Sequence, residues 1–160
     1  MYFSRKCKIT FICHGATIYS DEFRFSDVEN YPPITEAGYE EIDKICDYLR
    51  KRGVKNDKIY SSSASRCLQT AKLISKVYKK DFDIVEGLKP RKCGSFNGKT
   101  FEQIERENPE LLQRLISQSN IATPDDAESV TDFITRVSNT INTLVEENIG
   151  NRIIIVTHPD

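Results

Sequence analysis

Two stretches of the chain are apolar without a break in period. Lys8 to Cys13 is nearly continuous, and Arg152 to Thr157 repeats the pattern with Ile153, Ile154, Ile155 and Val156 in a row. Runs this short, without polar alternation, predict strands buried on both faces. Between them the period lengthens. Ile42, Ile45, Cys46 and Leu49 recur at helical spacing, Thr35 stands where a cap belongs, and Gly53 supplies a stop, so a helix is expected from Thr35 to about Arg52. Lys58 to Ser62 reads as a second strand. It feeds a helix with Cys67, Ala71, Ile74 and Tyr78 on one face, and Asp83 to Glu86 reads as a short third strand. Thr100 and Gln103 form a capping box that opens another helix, which Pro109 breaks or restarts. The longest amphipathic stretch follows Thr123-Pro124-Asp125, with Val130, Phe133, Ile134, Val137, Ile141, Leu144 and Val145 on one face and Gly150 at its end. Residues 19–33 and 87–99 read as loops, the first long enough to carry function.

Strands alternating with helices predict an α/β fold in three layers, a mostly parallel sheet flanked by helices. No repeat or linker divides the sequence, and 160 residues suffice for one core, so 1–160 is expected to be a single domain.

Composition narrows the function. With 38% hydrophobic and 29% charged residues and a net charge of -1, the chain is globular and offers no basic surface for nucleic acid or an anionic membrane. No apolar run is long enough to span a bilayer, and Ile9 to Cys13 is too short for a signal-peptide core. The five cysteines are odd in number and irregular in spacing. That predicts free thiols in a reducing cytoplasm and no zinc site. Cys13 and Cys93 both flank the candidate site as a conceivable redox pair, but small apolar fillers are the favoured reading.

The sequence has only two histidines, His14 and His158, and each directly follows one of the two buried runs. Ligands of open α/β sheets sit outside the carboxyl ends of the strands, so both imidazoles are expected at one site. The second strand adds Ser61-Ser62-Ser63-Ala64-Ser65-Arg66, a strand-to-helix turn with a guanidinium near the helix start. Such a turn is suited to phosphate. A metal site from Cys13, His14 and His158 is disfavoured, because neighbours on a strand point to opposite faces.

These residues resemble the histidine phosphatase (phosphoglycerate mutase-like) superfamily. Phe11-Ile12-Cys13-His14-Gly15-Ala16-Thr17 is similar to its apolar strand followed by R-H-G-E-T. Pro33-Ile34-Thr35-Glu36-Ala37-Gly38 is similar to P-L-T-E-x-G. Tyr60 to Ala71 resembles S-S-P-x-x-R-A-x-Q-T-A, Gly94-Ser-Phe-Asn-Gly98 resembles G-x-W-E-G, Ala127-Glu128-Ser129 with Arg136 resembles G-E-S followed by an arginine, and Val156-Thr157-His158 matches V-T-H. The resemblance implies a phosphoglycerate mutase-like fold. It implies a phosphatase acting on a small phosphorylated metabolite through a phosphohistidine at His14, with neither metal nor other cofactor. Arg66 and His158 would complete the catalytic set, and Gly15, Thr17, Ser62 and Glu128 would contact the substrate; apart from the resemblance, Arg24 in the long loop is a further candidate for phosphate contact. An α-ribazole phosphate, a sugar phosphate or a phosphohistidine protein would fit; a mutase fits less well.

Two positions depart from the pattern. Cys13 stands where the family has an arginine beside the nucleophile, and Pro90 stands where it has the acidic proton donor. Loss of a general acid typically costs about 10²–10⁴-fold. Arg24 or Arg91 can replace the missing cation, and Glu128 or Asp160 the missing acid. The alternative reading is a pseudo-phosphatase that binds phosphorylated ligands without turning them over. The chain also ends where the family's next helix would begin, so a domain lacking its C-terminal part is expected.

Overall fold

A computed structural model describes residues 6–27, 32–117 and 124–159. Strands β1 (Lys8–Cys13), β2 (Lys58–Ser61), β3 (Asp83–Ile84) and β4 (Arg152–Thr157) form one sheet in the order β1-β4-β2-β3. Every pairing is parallel. β4 is central, which explains its unbroken apolar run. Ile154 and Val156 belong to one core cluster, while Ile153 and Ile155 belong to the cluster on the opposite face. Alternate side chains thus enter different layers, each fully buried one contributing roughly 1.5–3 kcal/mol.

Helices α2 (Glu36–Lys51) and α3 (Ser65–Tyr78) cover the first face through Ile42, Cys46, Leu49, Cys67, Ala71 and Ile74. α6 (Val130–Glu147) covers the second through Leu144, with Ile141 partly buried. The three expected layers are present. Thr35 caps α2 by accepting from the Gly38 N–H at 3.2 Å. Gly53 follows at φ +59°, the left-handed conformation that stops a helix. Thr100 and Gln103 form the expected capping box at the start of α4 (Phe101–Glu107), and Pro109 begins a separate helix, α5 (Pro109–Ser117).

Three expectations change. β1 is not buried on both faces: among the described residues it pairs only with β4 and forms the sheet edge, and Phe11 is 56% exposed. The α6 stripe is only partly covered, with Ile134 55% exposed. The loop read over 19–33 carries a short helix, α1 (Ile18–Asp21), capped by Thr17, and is tied to the fold by isolated bridges Thr17–Ile34 and Arg24–Thr100. These local polar bonds leave no hydrophobic period to read.

Candidate active site

The strand register builds the site. Cys13 pairs with Thr157 as the last residues of β1 and β4, so His14 and His158 leave the sheet side by side. The His14 N–H continues the ladder to the Thr157 carbonyl at 3.1 Å, and the Ser62 N–H reaches the Val156 carbonyl at 2.9 Å. The imidazoles meet edge to face with centroids 5.4 Å apart. α3 then carries Arg66 in its first turn to the same end.

Hydrogen bonding fixes the protons. His14 Nδ1 lies 2.9 Å from the Gly15 carbonyl. A carbonyl only accepts, so Nδ1 carries the proton and Nε2 of the neutral ring carries the lone pair. His158 has the opposite tautomer. Arg66 can only donate, and its guanidinium lies 3.1 Å from His158 Nδ1, so Nε2–H donates to Ser62 Oγ at 2.9 Å. Burial, then the Arg66 guanidinium, then His14 and Arg136 push the His158 pKa down to about 2. His158 is therefore a neutral group at physiological pH.

A cleft of about 350 Å³ brings together His14, Thr17, Arg24, Arg66, Arg91 and His158, with Ser20, Phe25, Ser26, Cys93 and Pro159. Three arginines face two neutral-capable imidazoles, and no carboxylate lines the cleft among the described residues. Arg24 is positioned by the Gly98 carbonyl at 2.8 Å, Gln103 Oε1 at 3.1 Å and an ion pair with Glu22. Arg91 reaches the Glu128 carbonyl at 3.4 Å.

Not every expected contact residue faces the cleft. Gly15 is a packing residue: its N–H donates to Thr70 Oγ1 at 3.1 Å, and an added Cβ would lie 2.7 Å from the Gly38 carbonyl oxygen. Ser62 supports His158 from behind. Glu128 stands outside the lining, its two carboxylate oxygens held by Arg136 at 2.8 and 2.7 Å. Arg136 holds the Glu128 carboxyl below the usual carboxylate range, with burial opposing. Glu128 is therefore an ionised structural anchor and a poor proton donor. Arg136 also donates to the carbonyls of Gly87 and Lys89 at 2.9 and 3.0 Å, pinning the chain that leads to Pro90 and Arg91. Asp160 lies outside the described residues.

Cys13 and Pro90, the two departures, share a second cavity of about 410 Å³ beside the cleft, where Phe11, Leu88, Phe133 and Val137 also lie. His158 and Pro159 border both cavities. Cys93 lines the cleft and Cys13 does not, so the two thiols occupy different cavities. Among the described residues, no group of three or more His, Cys, Asp or Glu is arranged to hold a metal ion, and no helix is long and apolar enough to cross a membrane.

Sequence reasoning missed Asp27. This buried residue accepts from the Cys93 N–H through Oδ2 at 3.0 Å and from Arg66 through its carbonyl at 3.3 Å. It links two walls of the cleft across partners 66 and 39 residues away, a distance at which no periodicity signals contact.

A parallel sheet with two imidazoles, an arginine and a helix start at its carboxyl end defines an α/β protein with a candidate anion-binding cleft. The profile of the histidine phosphatase superfamily (branch 1) matches residues 9–160, and the chain belongs to that family. A bifunctional protein of Mycobacterium tuberculosis is 26% identical over 151 residues, covering 94% of this chain and 41% of that protein. The metal-independent phosphoserine phosphatase of Arabidopsis thaliana is 26% identical over 158 residues, covering 97% of this chain and 65% of its own length. The chain thus spans less than two thirds of these relatives. Among solved structures, a putative alpha-ribazole-5'-P phosphatase from Escherichia coli superposes with a TM-score of 0.86 at 23% identity, covering 96% of this chain and 74% of that one. This likeness establishes the phosphoglycerate mutase-like fold.

Proposed function

We propose that this protein is a phosphatase that transfers the phosphoryl group of a small phosphorylated metabolite to His14 Nε2 and then to water, in a cytoplasmic setting. The observation that carries the reading is the His14 tautomer. With Nδ1–H committed to the Gly15 carbonyl, the lone pair of the neutral ring sits on Nε2, the nucleophilic form of imidazole. Arg66, already anchored by Asp27 and His158, supplies donors for the equatorial oxygens as charge spreads over them. Arg24 and Arg91 supply further positive charge on the same cleft. Hydrolysis of the phosphohistidine returns the electron pair to Nε2. Among the relatives, the phosphoserine phosphatase is named as metal-independent, which supports a reaction without a metal.

The test is hydrolysis of para-nitrophenyl phosphate by the full chain and by His14→Ala, with alkaline detergent quenching of a ³²P-labelled substrate. Turnover absent from His14→Ala, together with an alkali-stable, acid-labile phosphoryl-enzyme, is the expected result. One observation favours a second reading, a phosphate-binding module without turnover: Cys13 and Pro90 replace two charged groups with apolar ones beside the cleft. Saturable phosphate binding with no His14-dependent turnover would select it.

A further inference from the structure

We infer that the site is built for substrates whose leaving group departs as a stabilised anion, namely acyl, enol and aryl phosphates, and not for alkyl phosphates such as sugar phosphates. The inference rests on the phosphatase reading above and narrows its substrate class.

The argument starts from proton inventory. Breaking a P–O bond to an alkyl group releases an alkoxide, whose conjugate acid has a pKa near that of water, about 16. It needs a proton in flight. A phenol leaves at about 10 and a carboxylic acid at about 4, so their oxygens can leave as anions. Neither the cleft nor the adjoining cavity presents a carboxylate among the described residues. The nearby acids are committed elsewhere: Glu22 to Arg24, Glu128 to Arg136, Asp27 to the Cys93 N–H, and Glu41, which shares a further cavity with His14, to the Ala16 N–H at 3.1 Å. The Cys93 thiol donates to the Arg91 carbonyl at 3.5 Å. His158 holds its single proton against Ser62 Oγ, and the pull of Arg66 and burial keeps a second proton off.

What the cleft presents instead is positive charge. Arg24 and Arg91 line it in addition to Arg66. Guanidiniums do not surrender protons near neutrality, but they bind carboxylate and phosphate oxygens with two parallel donors. They stabilise a leaving group that keeps its electron pair. The balance is then complete without an acid. The Nε2 lone pair forms the N–P bond. The P–O bond breaks, and its electrons depart with the carboxylate, enolate or aryl oxide. Because Nδ1 stays protonated, the phosphorylated ring is a cationic imidazolium. Water then attacks phosphorus, the N–P electrons return to Nε2, and the water proton passes to solvent or phosphate. The second step also expels a neutral ring and needs no donor.

The experiment is the dependence of kcat/KM on leaving-group pKa. That ratio reports the first step and is blind to the hydrolysis step that all substrates share. The wild-type chain is assayed on acetyl phosphate, a series of substituted phenyl phosphates and glycerol phosphate, beside His14→Ala. Acyl and activated aryl phosphates are expected to exceed glycerol phosphate by at least about 10²–10⁴-fold, the usual worth of a general acid, with a steep linear fall across the phenols. Pro90→Glu, made alone and with Cys13→Arg, is expected to raise glycerol phosphate hydrolysis while leaving acetyl phosphate unchanged. Because the series is read on the wild type, misfolding of these variants does not remove the test. Glycerol phosphate within tenfold of the aryl substrates overturns the inference and leaves the phosphatase reading standing. A shallow dependence that turns steep in Glu29→Gln or Asp160→Asn, two acids outside the described residues, overturns it and identifies the donor. No His14-dependent turnover of any substrate overturns the phosphatase reading itself.

Discussion

Arg136 is the residue whose removal tests most directly how the cleft wall is held. Its guanidinium chelates Glu128 with two bonds and donates to the carbonyls of Gly87 and Lys89. The two side chains are only 28% and 19% exposed, so solvent screens the pair little. Breaking a buried pair costs about 3–5 kcal/mol and a single charged hydrogen bond about 1.5–3. Partial exposure and water at the freed carbonyls put Arg136→Met near the bottom of that range, at roughly 3 kcal/mol. For a chain of this size that is a Tm loss of roughly 6–12 °C. The assay is urea unfolding of wild type, Arg136→Met, Glu128→Gln and the double variant, closed as a cycle. A coupling of about 1.5–3 kcal/mol is expected at pH 7 for a desolvated charged pair. The folded-state pKa of Glu128 is depressed, so its contribution is present above the unfolded value of about 4.3 and is lost as pH falls through the folded value. The coupling should therefore persist at pH 5 and fade in stronger acid. A coupling under about 0.5 kcal/mol, the usual scatter of such cycles, refutes the assignment of Glu128 as an anchor.

Two further outcomes follow from the same geometry. His158 is neutral when folded, with a pKa of about 2, and accepts a proton near 6.5 when unfolded. Its stabilisation is complete above 6.5 and is lost as pH falls toward 2, so between pH 6 and 4 it steepens acid destabilisation by about 1.4 kcal/mol per unit. Urea titrations of His158→Gln, expected to lack that slope, check it. In Gly38→Ala the new Cβ would lie 2.4 Å from the Ala16 carbonyl oxygen and 2.8 Å from the Ala16 nitrogen. We expect a loss of about 1–3 kcal/mol and reduced turnover, because α2 packs on the segment that follows His14; thermal unfolding beside the para-nitrophenyl phosphate assay measures both.

The parts of the site that backbone register sets were legible in the sequence. His14 and His158 each close an apolar run, and parallel pairing turns that into adjacency. Arg66 was legible for a similar reason, as the start of a helix that must follow β2. What escaped was whatever depends on long-range polar pairing. Glu128 read as a substrate contact through the resemblance of its motif, but only coordinates show that Arg136 pairs with it. Asp27 carried no signal, since its partners come from α3 and the loop before α4. β1 misled for another reason: an apolar run marks a strand, but not how many neighbours it has. Among the described residues β1 has a single partner at the sheet edge, and Phe11 on it is exposed.

The two departures, read separately as two losses, share one cavity. Pro90 is buried there and Cys13 is exposed at its edge. Leu88, Phe133, Val137 and Ile141 make the surroundings apolar. A carboxylate placed alone at 90 would be desolvated without a partner, at a cost of several kcal/mol before relaxation; a guanidinium at 13 reaches water and costs little. Replacing both members of a charged pair by apolar groups is far cheaper than replacing one, so the shared cavity predicts that positions 13 and 90 are coupled. Pro90→Glu alone is expected to destabilise by about 2–3 kcal/mol, Cys13→Arg alone by under about 0.5, and the double variant to recover about 1 kcal/mol or more of the first loss. Urea unfolding of the four proteins measures it. Strict additivity would mean that the two positions do not communicate and would refute the coupling.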